Sequence, residues 1–396
     1  MKKKLKAIVY DTDIISKDNI IWGLLENGID TERSKMIANL KEVDNEQAML
    51  IANEVKRYDF AFTQNFSRTV AEGCHMADIP YFSWIWDSPQ LQLYFDEAFY
   101  ETNFVFAFDK VQVEKLKEYG LKRVWWIPLC ANVTKASLIN VSNDDIAKYG
   151  HEISFIGSLY EKESFYNTMP YLPTDIQNEV EKILDEQCLK WERENSRIYG
   201  KLSEKTREYI LSRMPKNGPQ RANFDWAYFM ETLLLAYEMS SRDRTTILNK
   251  LSLEHDVAFY TGNREQAERK LISSVNVFSR VNEEEAYKIY HASKINLNVT
   301  IPSIETGIPL RVFDIMAVGG CVFSNYQEEI EEIFLPGKEI VVFSSLDELE
   351  DKVKYYLSHD EERLKIGISG YKKVKNRYNV PNAVRKMVKL AYEEIM

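Results

Sequence analysis

Hydrophobic and polar positions in the first 130 residues alternate between two patterns. Short apolar runs, each long enough for one buried strand, are separated by segments whose apolar residues recur at helical spacing. Such alternation predicts a parallel sheet with helices on both faces. The predicted strands are Leu5–Tyr10, Phe60–Gln64, Tyr81–Ile85, Phe104–Phe108 and Val124–Pro128, and the predicted helices include Asp44–Arg57 and Val111–Tyr119. The loops at the carboxyl edge of this sheet should hold Asn65, Asp87, Asp109 and the run Asp11, Thr12 and Asp13.

A second α/β series follows a polar, poorly patterned stretch. Long amphipathic segments, such as Thr174–Arg193 and Trp226–Met239, interrupt this series after its first strand and predict a helical insertion. The predicted strands are Ile153–Ile156, Val257–Tyr260, Val275–Phe278, Ile295–Val299, Cys321–Phe323 and Ile340–Phe343. We therefore divide the chain into a domain at 1–132, a linker at 133–150, a domain at 151–379 with an insertion at about 161–253, and a terminal helix at 380–396.

The most informative segment is HASKINLNVTIPSIETGIPLRVFDIMAVGGCVFSNYQ, residues 291–327. It predicts a strand, a loop broken by proline and glycine, a helix from Leu310 to Val318, and another strand. The loop before such a helix lies at the carboxyl edge of the sheet, where the free N–H groups of the helix start attract anions. Arg311 in the first turn is unfavourable for the helix dipole unless a phosphate meets it. Asp314, one turn later, is placed to bind ribose hydroxyls. The alternatives are a surface arginine paired with a nearby acid and an aspartate that only favours the helix dipole.

Charge and composition argue against several classes of partner and cofactor. The 396 residues carry a net charge of −10, which argues against nucleic acid as the main partner and against a strongly basic membrane-binding face. The four cysteines and five histidines are scattered without metal-ligand spacing, so we expect a reduced, cytoplasmic protein without a metal. No apolar run has membrane-spanning length, and we expect no peripheral membrane contact. No Walker A or GxGxxG sequence follows the first strand, so ATP and NAD are unsupported.

The segment SKINLN…GIPLRVFDIMAVGG…NYQEE resembles the donor-binding half of GT-B glycosyltransferases of the spore-maturation-protein type. The resemblance continues through residues 337–374 and covers ISFIGSLY and DVAFYTGN upstream. YFSWIWDSP and FVFAFDKVQVEKL resemble the N-terminal domain that often precedes that half. The family implies two Rossmann-like domains facing a cleft, with the terminal helix packing back on the first. It also implies metal-independent transfer of a sugar from a nucleotide diphosphate sugar, most simply a UDP-sugar, without a further cofactor.

The resemblance assigns residues to the donor. Arg311, the Gly157-Ser158 turn and the backbone from Gly307 to Leu310 would hold the diphosphate, and Asp314 the ribose. Many retaining relatives carry a glutamate at the position of Asp314 and another eight residues earlier, where this chain has Thr306, so we assign no stereochemistry. Amide side chains suit sugar hydroxyls because they both donate and accept hydrogen bonds. The predicted donor-binding residues are Gly157, Ser158, Thr261, Gly307, Ile308, Pro309, Leu310, Arg311, Asp314, Asn325 and Gln327.

An inverting reaction needs a general base for the acceptor hydroxyl, and the first domain would supply it. Asp87 and Asp13 are the candidates; Trp84 and Trp86 would restrict water around Asp87 and raise its pKa. The alternative for Asp87 is an ordinary turn, because Asp-Ser-Pro is a common turn sequence. Two other functions stay open: a nucleotide-sugar epimerase of the same fold and a non-catalytic sugar-nucleotide-binding subunit. The acceptor, whether glycan, protein or small molecule, and a homodimer also stay open.

Overall fold

The structure is a computed structural model that describes residues 4–12, 18–40, 42–160, 165–191, 196–213, 218–219 and 224–395, without the side chains of 165–167, 233 and 395. The chain divides into two compact units. The first comprises Met1–Cys130, Pro215–Asp225 and Tyr378–Met396, and the second comprises Ala131–Met214 and Trp226–Arg377. We call them the first and second domains.

The first domain contains a six-stranded parallel sheet in the order β2-β1-β3-β4-β5-β6. Residues of β3, β4 and β5 are buried along their whole length, as expected for central strands covered on both faces. Its strands are β1 (Lys6–Asp11), β2 (Asp30–Ile37), β3 (Phe60–Gln64), β4 (Tyr81–Ile85), β5 (Asn103–Ala107) and β6 (Val124–Trp126). Its helices are α1 (Asp18–Glu26), α2 (Asn45–Val55), α3 (Arg68–Ala77) and α4 (Lys110–Tyr119), with 3-10 turns at Leu91–Tyr94 and Asp96–Phe99.

The five strands predicted for this domain are confirmed with shifts of one or two residues at their ends. Strand β2 was not predicted. Its sequence, DTERSKMI, is polar, and only Ser34 within it is buried. The strand lies at the edge of the sheet and pairs with β1 alone, so no apolar run was needed to form it.

The second domain contains another six-stranded parallel sheet, in the order β12-β11-β10-β7-β8-β9. Its strands are β7 (Ile153–Ile156), β8 (Val257–Thr261), β9 (Val275–Ser279), β10 (Ile295–Asn298), β11 (Val322–Asn325) and β12 (Val341–Phe343). Its helices are α5 (Val133–Ser137), α6 (Asn143–Tyr149), α7 (Thr174–Gln187), α8 (Glu204–Leu211), α9 (Trp226–Glu231), α10 (Tyr237–Leu251), α11 (Arg264–Lys270), α12 (Glu283–Ala292), α13 (Leu310–Ala317), α14 (Glu328–Ile333), α15 (Leu346–Ser358) and α16 (Asp360–Arg377). The six predicted strands are all present.

The described residues between β7 and β8, where we expected an insertion, include four α-helices. They build a hydrophobic core of their own, which includes Val180, Leu184, Leu235 and Met239. A 3-10 turn (Phe165–Tyr171) precedes α7, and a π-helical turn (Thr232–Ala236) joins α9 to α10. Part of the segment groups with the first domain, where Phe224 packs against Tyr94 and Tyr119.

Residues 133–150, which we expected to form a linker, fold into α5 and α6 and belong to the second domain. Side-chain caps start both helices: Asn132 accepts from the Lys135 N–H, and Ser142 forms a capping box with Asp145. The caps mark the starts of these helices, whereas the apolar spacing from which we predicted helices is weak here. Lys288 of α12 lies 3.3 Å from the Asp145 carboxylate and ties α6 to the domain.

The C-terminal helix α17 (Val380–Ile395) packs against α1 within the first domain. Gly23 of α1 allows the close approach, because a Cβ atom there would lie 2.8 Å from methyl groups of Val380 and Val384. Asn27 fixes the register by donating to the Pro381 carbonyl and accepting from Arg385.

Helix α13 is seated on α16 through glycine. A Cβ atom on Gly367 would lie 2.3 Å from the carbonyl oxygen of Gly319, just after α13, and one on Gly370 would lie 3.2 Å from the Met316 side chain. Val312, Phe313 and Ile315 of α13 are buried as well. Backbone contact of this kind leaves α13 little freedom to shift along the sheet.

We predict that Gly367→Ala destabilises the protein by about 1–3 kcal/mol, because the added methyl group overpacks a backbone contact that cannot yield. This loss outweighs the roughly 1 kcal/mol by which alanine favours a helix over glycine. Urea unfolding measures the change. The matched control is Ile368→Ala, since Ile368 is 50% exposed on the same helix; equal stability of the two variants would contradict the packing account.

Candidate functional site

Arg311 and the turn after β7 meet at the carboxyl edge of the second sheet. The Arg311 Nη1 atom donates to Asn298 Oδ1 at 2.8 Å, and the guanidinium carbon lies 5.0 Å from the centre of the Phe155 ring. A Cβ atom on Gly157 would lie 3.3 Å from Arg311 Nη2 and 2.9 Å from the Phe155 ring. Position 157 therefore requires glycine for the arginine to lie against the turn. The structure brings the predicted residues Gly157, Ser158 and Arg311 together.

A second arginine, Arg244 of α10, lies on the same aromatic ring and was not predicted. Its guanidinium carbon is 5.4 Å from the centre of Phe155 and 4.7 Å from that of Tyr160. Its Nε and Nη2 atoms donate to the Val299 carbonyl and its Nη1 atom to the Ser158 carbonyl. Arg244 is only 2% exposed, so these bonds fix the ends of β7 and β10 relative to each other.

Neither guanidinium group has a carboxylate within salt-bridge distance among the residues that the structure describes. Burial lowers the pKa of Arg311, and the neighbouring Arg244 lowers it further. Two partly desolvated positive charges without a counter-charge are unfavourable in the free protein. The site is therefore electrostatically prepared for an anion.

Asp314 lies one turn after Arg311 and is half-buried. Burial and the nearby Glu283 raise its pKa to about 8, while a 3.4 Å hydrogen bond from the Tyr287 hydroxyl acts in the opposite direction. At neutral pH the side chain is therefore mostly the neutral acid, which donates and accepts hydrogen bonds. It does not cancel the charge of Arg311.

The loop from Thr300 to Pro309 carries Gly307, Ile308 and Pro309 into α13, which begins at Leu310. Pro309 forms no side-chain cap on the first turn, and the Val312 N–H donates to the Pro309 carbonyl at 3.1 Å. A ligand would therefore meet the N–H groups that precede Val312. Ile308 is buried, so it contributes only its backbone at this edge.

The predicted residues Asn325 and Gln327 are used to hold this loop. Asn325 accepts from the Thr300 N–H at 2.7 Å and donates to the Tyr326 carbonyl, and Gln327 donates to the Ile304 carbonyl at 3.2 Å. Their roles as sugar ligands remain predictions. Thr306, eight residues before Asp314, donates to the carboxylate of Glu329 at 3.0 Å.

Thr261 ends β8 and its hydroxyl accepts from the Asn263 N–H at 3.4 Å. The side chain is buried, and Gly262 beside it has open space. Thr261 therefore shapes the turn at the same edge of the sheet, and its contact with a donor remains a prediction.

The carboxyl edge of the first sheet gathers the polar residues that we expected there. Asn65 donates to the Asp87 carboxylate at 2.6 Å, and Ser88 donates to Asp109 at 3.0 Å. Asp87 is exposed, whereas Trp84 is fully buried and Trp86 partly so. The other candidate base, Asp13, lies outside the described residues.

A family model described as glycosyl transferase-like matches residues 244–389, from Arg244 to α17. The structure is similar to that of Anabaena HepE with UDP and glucose, at a TM-score of 0.57 and 9% identity, covering 98% of this chain and 100% of the other. It is also similar to a glycosyltransferase from Rickettsia africae, at a TM-score of 0.56 and 12% identity, covering 99% of this chain and 98% of the other. A third similar structure is that of sucrose-phosphate synthase from Thermosynechococcus elongatus, at a TM-score of 0.54 and 10% identity, covering 99% of each chain.

The fold is that of the GT-B glycosyltransferases. Two α/β domains, each with six parallel strands, match these structures over nearly the whole chain. No curated protein matches the sequence significantly. Among the described residues of this GT-B chain, no helix is both long and apolar enough to cross a membrane.

Sequence reasoning missed Arg244 because it lies in a helix far from the loop that it supports. Arg242 and Asp243 precede Arg244 directly in α10, so the sequence pattern does not distinguish Arg244 from its charged neighbours. A signal in the sequence was that Arg244 lies three and four residues before Ile247 and Leu248, on the face of α10 that is buried.

We predict that Asp314→Asn flattens part of the pH dependence of stability. The folded-state pKa of about 8 lies above the ordinary value of 3.8, so the folded state holds a proton that the unfolded state has released. Stability from this group is full below about pH 4 and is lost as pH rises towards 8. The variant should therefore gain stability relative to the parent between pH 5 and 8.5 in thermal unfolding. A constant difference across that range would contradict the raised pKa.

Proposed function

We propose that the protein is a glycosyltransferase that transfers a sugar from a UDP-sugar to an acceptor hydroxyl. The observation that carries this proposal is the pair of guanidinium groups, Arg244 and Arg311, on one aromatic ring, with no carboxylate partner in the part of the chain that the structure describes. A nucleoside diphosphate brings about two negative charges, which would compensate both. HepE of similar fold was solved with UDP and with UDP-glucose, which supports UDP as the nucleotide.

In this proposal each group at the edge of the second sheet has one task. Arg311 and the first turn of α13 bind the diphosphate and stabilise the charge that develops on it as the sugar leaves. Arg244 adds positive potential and holds the Ser158 and Val299 carbonyls in place. Asp314, as a neutral acid, binds a ribose hydroxyl.

We further propose that the donor binds without a divalent cation or other cofactor, because the two arginines already supply the charge that a cation would bring. The first domain would bind the acceptor and supply the base, with Asp87 as the candidate. Membership of the spore-maturation-protein type and a cytoplasmic location belong to the same proposal.

We predict that Arg311→Ala weakens UDP binding about tenfold or more, the effect of losing one charge-assisted contact. Calorimetric titration measures the affinity, and thermal unfolding shows that the variant is folded. The control is Arg269→Ala, which removes an exposed charge in the last turn of α11 and should leave the affinity unchanged.

Unchanged UDP affinity in Arg311→Ala would contradict the assignment of Arg311. Incubation of the parent with UDP-glucose separates the alternatives. Release of UDP supports transfer, conversion to an epimeric UDP-sugar without UDP release supports the epimerase, and binding without turnover on any acceptor supports the non-catalytic subunit.

A further inference from the structure

Asn65 adopts a backbone conformation that side chains rarely accept. It follows β3 with a φ of 61°, in the left-handed region, and it is 1% exposed. Its backbone N–H donates to the Trp84 carbonyl at 2.8 Å, and its own carbonyl accepts from Thr63 Oγ1 at 2.5 Å. The residue is therefore fixed between the ends of β3 and β4.

The carboxamide of Asn65 has only one orientation that satisfies its neighbours. The Trp86 N–H, 2.7 Å away, can only donate, so the atom facing it must be Oδ1. The Nδ2 atom is then directed at the Asp87 carboxylate, which it reaches at 2.6 Å. One side chain thus binds two consecutive residues of the turn after β4.

A purely structural turn would not need this side chain. Glycine adopts a positive φ without strain, whereas asparagine tolerates it at a cost of about 1 kcal/mol. Asparagine adds a carboxamide, which forms hydrogen bonds with the Asp87 carboxylate and with the Trp86 N–H in the same turn. Strain retained at a buried position points to the task of the side chain.

The turn that carries Asp87 is held from several sides. Gln90 both accepts from the Phe66 N–H and donates to its carbonyl, at 3.0 Å each, and Gln112 of α4 donates to the Asp87 carbonyl at 3.4 Å. Asp87 as a whole residue is exposed, so a ligand can approach its side chain. Asp109, a titratable residue just before α4, accepts from Ser88, the residue after Asp87.

Two opposing influences act on the pKa of Asp87. Loss of surrounding water raises it, and the hydrogen bond from Asn65 lowers it; no charged side chain of the described residues adds a further shift. The pKa of Asp87 lies above its ordinary value overall, and the hydrogen bond from Asn65 limits this rise.

We propose that Asn65 is a positioning residue that aims the Asp87 carboxylate at the acceptor hydroxyl. This inference rests on the proposed function and deepens it. In a direct displacement the hydroxyl oxygen forms a bond to the anomeric carbon while the bond from that carbon to the UDP oxygen breaks. The hydroxyl proton passes to Asp87, and UDP leaves with the bonding electron pair. Asn65 fixes which carboxylate oxygen is engaged and leaves the other for the proton.

The first test measures Asp87 without any activity. The difference in unfolding free energy between the full chain and its Asp87→Asn variant is followed against pH. Its slope changes once at the unfolded-state pKa of Asp87 and once at the folded-state pKa, and the midpoint of the upper change reports the folded-state pKa. The same difference is then measured in the Asn65→Gly background, where the backbone conformation is retained and the carboxamide is lost. The midpoint should move up by about one pH unit, the scale of one charge-assisted hydrogen bond.

The second test measures UDP release from UDP-glucose across pH 4–9, with water as acceptor. In Asn65→Gly the acidic limb should move up by about one pH unit, and kcat should fall about tenfold with an unchanged KM for UDP-glucose. The matched control is Asp78→Gly, which replaces another non-glycine residue with a positive φ, at 54°, in an exposed helix cap of the same domain. This control should leave the pH profile unchanged.

The outcomes separate the two proposals. An Asp87 midpoint that stays in place in Asn65→Gly overturns the role of Asn65, whatever the enzyme does. A shifted midpoint with no UDP binding to the parent leaves the Asn65–Asp87 interaction intact and overturns the proposed function. A shifted midpoint with an unmoved pH profile of UDP release overturns Asp87 as the proton acceptor.

Discussion

The placement of two guanidinium groups on one aromatic ring determines the arrangement of the candidate site in the second domain. Arg244 and Arg311 lie against Phe155, and the fold bonds them to carbonyl and amide oxygens rather than to carboxylates. Among the described residues no carboxylate pairs with either charge, which is unfavourable until an anion binds. The raised pKa of Asp314 preserves this condition, because a neutral acid beside Arg311 leaves its charge available.

Close packing holds this arrangement in place. Gly157 leaves room for Arg311 beside the β7 turn, and Gly367 lets α16 touch the backbone at the end of α13. Neither position admits a Cβ atom at the present spacing. In the first domain the same edge of the sheet is held by amide side chains instead, with Asn65 and Gln90 linking the turns after β3 and β4. Rigid turns at strand ends are what a site needs to hold ligand groups at fixed distances.

The sequence predicted what local pattern controls. Strong apolar runs predicted eleven of the twelve strands found in the described residues, and the β10–α13–β11 block predicted Arg311 and its loop. Strand β2 was not predicted because an edge strand needs few buried residues. Helices α5 and α6 were not predicted because polar caps, rather than apolar residues at helical spacing, mark their starts. Arg244 was not predicted because its role depends on a tertiary contact with Phe155, and the sequence of α10 alone does not indicate that contact. Asn65 and Asp87 were expected at one edge, but the hydrogen bond between them depends on the left-handed turn.

The most direct measurement is a calorimetric comparison of uridine, UMP and UDP binding to the full chain, in the presence and absence of EDTA. If the paired arginines form a diphosphate site, affinity should rise at each added phosphate. UDP should bind at least about a hundredfold more tightly than uridine, the scale of two charge-assisted contacts, and EDTA should not change this. Equal affinity for uridine and UDP, or UDP binding that disappears with EDTA, would contradict the account.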